Sequence, residues 1–248
     1  MDTAQAREMV DQLREWFGDP EDLDPELITY VCDSDIGTSI KHPLVYSILH
    51  HDVLNARVNA QLRQKKIAVA EAYRDGEWYS YVFLHERPYR VDAFTVIEHL
   101  LEDGEYWELL GSVWTDSENI WQNYEVWRDL LTESREDRER MMSEEERAEL
   151  AALPSEFTIY RGAPRTEEFD IPGLSWTLDR QRGEWFAHRS IRFGTETRRD
   201  AVLHTATVNK ADVLAFFDGR GEREIVVLPE DVNDPLTTIV EPAEKNGE

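Results

Sequence analysis

The sequence predicts an α+β protein, in which a mainly helical N-terminal region precedes a β-rich C-terminal part. Apolar residues recur at helical spacing in the N-terminal half, most clearly over residues 53–74. After Pro154, short apolar runs alternate with glycine and proline turns, which is typical of β-structure. The 248 residues are 41% hydrophobic and include eight tryptophans, so the chain can build a packed core.

The N-terminal region, residues 1–108, is predicted to be a helical and acidic domain without a recognisable motif. One helix is predicted over residues 3–17 and another over residues 53–74. A glycine closely follows each of them, which is typical of the end of a helix. The aromatic-rich residues 76–89 predict a strand or a short hairpin. Residues 91–102 return to helical spacing and are expected to end near Gly104.

The second predicted domain, residues 109–248, begins with helices. One is expected near residues 117–131, with Ser117 or Asp116 as its N-cap. Ser143 and Glu146 have the spacing of a capping box, which predicts a helix that runs to Leu153.

The β-rich core of this domain is predicted over residues 154–232, with one helix near residues 179–190. After Pro154, strands are expected at six short apolar runs, FTIYRG, GLSWTL, AVLHTATV, DVLAFF, EIVVLP and TTIVEP, the last of which follows the core.

The chain is strongly acidic, and the charge is uneven. The formal net charge is −25, and residues 1–150 carry −19 of it. Such a field repels phosphate backbones, which disfavours direct nucleic-acid binding, and it attracts basic protein surfaces. Solubility or a salt-adapted host is the simpler explanation of the charge, and a surface for a basic partner or mimicry of a nucleic acid are the alternatives.

Cysteine and histidine usage also restricts the function. Cys32 is the only cysteine, which excludes an intramolecular disulfide and a cysteine-based zinc cluster and is expected of a cytoplasmic protein. The histidines have no metal-ligand spacing, so no metal is expected. No apolar run has the length of a membrane-spanning helix, and the N-terminal residues do not resemble a signal peptide.

Three polar motifs follow one another in the β-rich part. They are TIYRG (158–162), GLSWT (173–177) and GEREIVVLP (221–229). If the last of these is a strand throughout, Glu222 and Glu224 point to the same face, with Cα atoms about 6.6 Å apart. Each motif alone also fits an ordinary strand end or a charged sheet edge.

The order of arginine, then serine, then Glu-x-Glu resembles the Arg–Ser–Glu class of mono-ADP-ribosyltransferases. The resemblance covers roughly residues 154–232. It implies a split β-sandwich with a cleft for NAD between two small sheets, preceded by helices. NAD is then a substrate, cleaved to release nicotinamide, and no Rossmann-type binding is expected because the chain contains no GxGxxG motif.

The resemblance also implies roles for individual residues. Glu224 would be the catalytic glutamate that contacts the nicotinamide ribose, and Glu222 would contact the acceptor, as in the arginine-modifying branch. Ser175 would hydrogen bond to the catalytic glutamate. Trp176 departs from the usual Ser-Thr-Ser at these positions.

The NAD-binding residues are expected on the same strands and on the helix that follows. Arg161 would hold the anionic part of NAD, because a guanidinium matches phosphate geometry. Gly162 would bring the backbone close to the ligand, and Thr177 lies on the same strand face as Ser175. Phe186 and Trp185 are candidate stacking partners for nicotinamide.

The chemistry agrees with these residue types. Cleavage of a glycosidic bond builds positive charge on the sugar, and a fixed carboxylate stabilises that charge. We therefore expect a transferase that modifies an acceptor, most simply a protein arginine. Two alternatives stay open, an NAD glycohydrolase and an inactive acidic protein that inhibits a basic partner. The sequence is equally compatible with a toxin, a phage effector or a housekeeping enzyme.

Overall fold

The computed structural model describes residues 19–35, 37–117, 120–164, 173–192 and 200–240. It has a mixed α+β architecture with two antiparallel sheets. The chain divides between Leu100 and Leu101 into two compact units. The predicted domain boundary at residue 108 falls inside a helix of the second unit. The helix predicted over residues 3–17 lies outside the described residues.

The first unit combines one long helix and three short ones with a three-stranded sheet of order β1-β2-β3 in its described residues. Three short 3-10 turns, at residues 52–54, 87–89 and 98–100, connect its elements. The helices and strands are α1 (Pro25–Ile28), β1 (Val31–Ser34), β2 (Gly37–His42), β3 (Val45–Ser47), α2 (Asn55–Asp75), α3 (Trp78–Phe83) and α4 (Arg90–Ile97).

The long helix α2 confirms the strongest helical pattern of the sequence. Gly76 ends it in the left-handed conformation, with φ of 73°, and its N–H bonds the carbonyls of Ala72 and Tyr73. Val58 and Leu62 on α2 belong to the buried core that also contains strand residues of the sheet.

The sheet of the first unit was not predicted, and the expectation of a mainly helical region was incomplete here. Its strands are only three to six residues long, and β2 buries polar residues, so the alternation of apolar and polar residues is weak. His42 is buried because its Nδ1 accepts the N–H of Leu44 (3.0 Å) and its Nε2 faces Glu26 (3.3 Å).

The prediction of a strand or hairpin at residues 76–89 was wrong, because α3 occupies this segment. Tyr79 and Phe83 stack at the i,i+4 spacing of a helix, with ring centroids 4.3 Å apart, and Val82 is fully buried. Aromatic residues are common in strands, and helix packing overrides that preference here.

The second unit contains the larger sheet and the helices around it. Short 3-10 turns lie at residues 120–123, 138–141, 210–212 and 229–231. The helices are α5 (Asp103–Asp116), α6 (Tyr124–Leu131), α7 (Glu144–Ala152) and α8 (Arg180–Arg192). The strands are β4 (Glu156–Pro164), β5 (Ser175–Thr177), β6 (Ala201–Asn209), β7 (Val213–Phe217), β8 (Glu224–Val227) and β9 (Asn233–Val240).

Helix α5 differs from the sequence prediction at both ends. Gly104, expected to end a helix, lies in the first turn of α5, and Ser117, expected to begin a helix, is the C-cap of α5. The reason for the glycines is packing. A Cβ atom on Gly104 would lie 2.4 Å from the Arg140 guanidinium, and one on Gly111 would lie 2.4 Å from the Met141 carbonyl oxygen.

The capping box and the six predicted strands are confirmed. Ser143 and Glu146 bond each other's backbone N–H groups at the start of α7. All six apolar runs form strands of one antiparallel sheet, with the order β7-β8-β5-β4-β6-β9. In the described part of the chain, β4 and β5 are joined by a single residue pair, Tyr160 with Thr177. The sheet is therefore two three-stranded halves that meet at one point.

Gly111→Ala should lower the free energy of unfolding of the second unit by about 1–3 kcal/mol, because the new Cβ collides with backbone atoms of Met141. Urea unfolding followed by tryptophan fluorescence measures the change. Gly219→Ala is the matched control, since its Cβ meets nothing within 4 Å. Equal unfolding midpoints for the two variants would contradict this packing.

Candidate active site

The candidate site lies where the two halves of the larger sheet meet. A cavity of about 780 Å³ opens beside the Tyr160–Thr177 pair, within the size range of small-molecule sites. Seven residues predicted from the sequence line it, namely Arg161, Gly162, Ser175, Thr177, Phe186, Glu222 and Glu224. Trp185 does not line it.

Glu224 is the buried carboxylate of the site. It is the first residue of β8, pairs with Thr177 across to β5, and has a relative exposure of only 6%. The Ser175 hydroxyl donates a hydrogen bond of 2.5 Å to its Oε1. Burial raises the pKa of Glu224, while the hydrogen bond from Ser175 and the nearby charge of Arg220 act in the opposite direction.

Ser175 also connects Glu224 to Arg161. The Arg161 guanidinium on β4 donates from Nη1 to the Ser175 carbonyl oxygen (2.5 Å). Burial lowers the pKa of Arg161, and the negative charge of Glu224 opposes that shift. One strand residue thus holds a guanidinium through its backbone and a carboxylate through its side chain.

Two glycines make room for this arrangement. A Cβ on Gly173 would lie 2.5 Å from the Arg161 guanidinium. The guanidinium therefore occupies the space that a side chain at residue 173 would fill. A Cβ on Gly162 would lie 2.0 Å from the Gly183 carbonyl oxygen and 2.3 Å from the Ala187 nitrogen. Gly162 therefore admits helix α8 against β4, in addition to lining the cavity.

The strand that was expected to hold both glutamates begins only at Glu224, so the face-sharing argument for Glu222 was wrong. Arg223, between them, has a φ of 46°, which interrupts the strand geometry. The Glu222 carbonyl accepts from the Thr177 hydroxyl (2.6 Å), which fixes the backbone beside the site. A turn rather than a strand brings Glu222 to the cavity.

Thr177 and Trp176 have mainly structural contacts. The Thr177 hydroxyl accepts the N–H of Asp179 (3.0 Å) as well as bonding Glu222, and so it joins β5 to the start of α8. The Trp176 side chain is buried, and its indole N–H donates to the Gly173 carbonyl (2.9 Å). Trp176 also borders the cavity, although strand alternation assigns its side chain to the face opposite that of Ser175.

Helix α8 contributes Phe186 and Arg189, which lie three residues apart on one face. Phe186 is partly buried. Trp185 is exposed, and the guanidinium groups of Arg182 and Arg189 lie 5.6 Å and 5.2 Å from its ring centroid.

Sequence reasoning missed four residues that bear on the chemistry of the site, namely Arg189, Arg220, Trp114 and Trp121. Arg220 Nη2 lies 2.9 Å from Glu222 Oε2 and 3.6 Å from Glu224 Oε2. Trp114, at the end of α5, is buried and packs edge-on against Trp127. The only available signal for Arg220 was its place two residues before Glu222, and the tryptophans lie far from the motifs in the chain.

The charges in the cavity differ from those of the chain as a whole. Among the residues that the structure describes, three arginines line it, Arg161, Arg189 and Arg220, together with Glu222 and Glu224. An acidic chain that places three arginines around one cavity can accommodate a ligand with anionic groups there.

The described ranges contain neither a candidate metal site nor a candidate membrane-spanning helix. No group of three histidine, cysteine, aspartate or glutamate side chains there could hold a metal ion. Nor does any helix in those ranges have the length and apolar character needed to cross a membrane.

Comparison of the chain with protein-family models, curated proteins and solved structures finds no match. The geometry of the site is therefore the basis for a functional proposal.

Glu224→Gln should raise the free energy of unfolding at pH 7, because burial raises the pKa of Glu224 and its ionised form costs free energy in the folded state. The folded protein binds this proton more tightly than the unfolded chain, so the gain should shrink as the pH falls toward the ordinary value of 4.5. Urea titrations at several pH values measure it. The exposed carboxylate of Glu156 supplies the control, Glu156→Gln, and a pH-independent effect of Glu224→Gln would refute the assignment.

Proposed function

We propose that the chain is an NAD-dependent mono-ADP-ribosyltransferase that transfers ADP-ribose to a guanidinium group of an acceptor protein. The observation that carries the proposal is the 2.5 Å hydrogen bond from the Ser175 hydroxyl to the buried Glu224. The Arg161 guanidinium donates to the backbone carbonyl of the same serine. The three residue types, in this chain order and in contact, are those that the Arg–Ser–Glu resemblance requires.

The fold supports the proposal as well. We assign the second unit to the split β-sandwich class, because its two three-stranded halves are joined in the described residues by one pair, Tyr160 with Thr177. A sheet that parts beside that pair leaves a cleft, and both Arg161 and Glu224 line the cavity that lies there.

NAD binding would use the cationic and aromatic groups of the cavity. A guanidinium has five N–H donors, so Arg161 has donors for phosphate oxygens in addition to its bond to the Ser175 carbonyl. Arg189 adds positive charge at the exposed end, and Phe186 offers a ring face for nicotinamide. The backbone of Gly162 borders the same space.

The cleavage step would depend on Glu224. As the bond between nicotinamide and ribose breaks, positive charge develops on the sugar. A carboxylate in a water-poor position acts on that charge more strongly than one in solvent, and a fixed carboxylate needs no reorganisation during the reaction. Ser175 keeps the carboxylate in place and lowers the cost of its ionisation.

The transfer step would depend on Glu222. This carboxylate is bound to a guanidinium already, that of Arg220, at 2.9 Å. A carboxylate beside the reacting sugar can orient an incoming guanidinium and accept its proton. We assign Glu222 to the acceptor for that reason, and the acidic surface of the chain favours basic acceptors.

One observation favours a second candidate, an NAD glycohydrolase. Arg220 forms an ion pair with Glu222, the carboxylate that would bind an acceptor. A protein acceptor would have to displace Arg220, whereas a water molecule is small enough to reach the site with Arg220 in place. In that case Glu222 would contribute little to turnover.

Incubation with labelled NAD and a lysate tests the function. Glu224→Gln should reduce nicotinamide release by about 10²–10³-fold, the typical cost of removing one electrostatic stabiliser of a transition state. Glu156→Gln, which changes an exposed carboxylate in the same way, should retain full activity. If wild type releases no nicotinamide under these conditions, the proposed function is wrong.

Glu222→Ala separates the two candidates. A transferase should lose label on protein while it keeps most of its NAD hydrolysis, because the change removes the acceptor contact and leaves Glu224 in place. A glycohydrolase should show no label on protein in either form and similar hydrolysis in both.

Gly173→Ala should raise the KM for NAD by at least about tenfold, because the new Cβ displaces the Arg161 guanidinium and weakens its charge-assisted bonds. The collision involves the flexible end of a side chain, so the fold should persist. Gly104→Ala is the matched control, since it displaces the guanidinium of Arg140, which does not line the cavity. Equal KM values for both variants would refute the role of Arg161.

A further inference from the structure

Arg220 lies inside the candidate site as a resident guanidinium. Its Nη2 contacts Oε2 of Glu222 at 2.9 Å and approaches Oε2 of Glu224 at 3.6 Å. Its Nη1 donates to the carbonyl of Thr115 (2.9 Å) at the end of α5. Two carboxylates and one carbonyl therefore surround one arginine side chain at the mouth of the cavity.

These contacts are those that an acceptor arginine would need. A guanidinium that receives ADP-ribose must lie against the carboxylate that takes its proton and next to the carboxylate that faces the sugar. Arg220 meets both conditions through a single nitrogen, Nη2.

We infer that Arg220 occupies the acceptor subsite and is itself ADP-ribosylated when no external guanidinium is present. This inference rests on the proposed function, since it needs the cleavage of NAD. It adds the identity of one acceptor, which lies within the chain.

The turn that carries Arg220 presents it to the cavity from a fixed base. The N–H of Gly221 bonds the Asp218 carbonyl (2.7 Å), and the N–H of Arg223 bonds the Asp218 side chain (3.0 Å). A Cβ on Gly219 or on Gly221 would meet no atom within 4 Å, so the turn has open space around its tip. The base is held by these bonds, while the tip has room for a product.

The ion pairs of Arg220 are open to solvent from the arginine side. The Arg220 side chain is 46% exposed, whereas the side chains of Glu222 and Glu224 are only 19% and 8% exposed, so a guanidinium can enter or leave these contacts without any change in the buried carboxylates. An external guanidinium can therefore replace it, and Arg220 would limit external transfer without preventing it.

The modification step balances without another reactant. The Nη2 lone pair of Arg220 forms a bond to the anomeric carbon of the nicotinamide ribose. The bond from that carbon to nicotinamide breaks, and its electron pair goes to the ring nitrogen, which leaves neutral nicotinamide. The guanidinium proton goes to Glu222 and then to solvent, so the products are ADP-ribosyl-arginine, nicotinamide and one proton.

The test is peptide mapping by mass spectrometry of the full chain after incubation with NAD alone. We expect one ADP-ribose on the peptide that contains Arg220, and its complete loss in Arg220→Lys, which keeps the charge but removes the guanidinium. Arg223→Lys is the matched control, because Arg223 lies in the same turn and faces Glu149 (2.6 Å) instead of the cavity. It should retain the modification. The modified fraction should not change with tenfold dilution of the protein, since the reaction is within one chain.

Two further readouts separate the possible failures. Agmatine serves as a small external guanidine, and Arg220→Ala should lower its KM about two- to fivefold, because the subsite no longer needs to be vacated. If agmatine is modified and Arg220 is not, the inference falls while the proposed function stands. Modification that persists in Arg220→Lys, or that depends on dilution, also overturns it. Absence of nicotinamide release in every mixture overturns the proposed function and this inference together.

Discussion

The burial of one carboxylate, that of Glu224, is the constraint around which the second unit is arranged. A buried ionisable carboxyl group costs free energy unless nearby groups donate hydrogen bonds or carry positive charge. Ser175 donates a hydrogen bond, and Arg220 and Arg161 supply positive charge nearby. The pKa of Glu224 is still raised, so these contacts only partly offset its burial. A position that is costly for stability and faces a cavity is where functional groups are commonly found.

The limited pairing between β4 and β5 explains why this carboxylate can lie against both protein and cavity. A sheet with full pairing at this point would close over the strand ends, whereas the described residues of these strands are joined at Tyr160 and Thr177 alone, and the sheet opens beside that pair. Gly173 and Gly162 complete the arrangement, because the first gives space to a guanidinium and the second to helix α8. The chemical groups of the site are therefore held by packing as much as by hydrogen bonds.

The sequence predicted correctly those features of the fold that depend on residues close together in the chain. All six strands and the capping box of α7 could be predicted, because short apolar runs between turns and a Ser-x-x-Glu spacing determine local backbone geometry. Strand alternation failed for Glu222, because Arg223 adopts a positive φ that no sequence pattern predicts. Arg220 was missed because the turn that brings it against Glu222 and Glu224 has no sequence pattern of its own. Trp114 was missed because long-range packing brings it to the site, and the first sheet was missed because it buries polar residues such as His42.

Calorimetric titration with carba-NAD, in which a methylene replaces the ring oxygen of the nicotinamide ribose so that the bond is not cleaved, tests the central claim most directly. Binding separates the site from any question of turnover. We expect one site per chain, with affinity that falls at least about tenfold in Arg161→Ala, because charge-assisted bonds to the diphosphate are lost. Wild-type protein that takes up no carba-NAD, or that binds it equally well without Arg161, would contradict the assignment of this cavity to NAD.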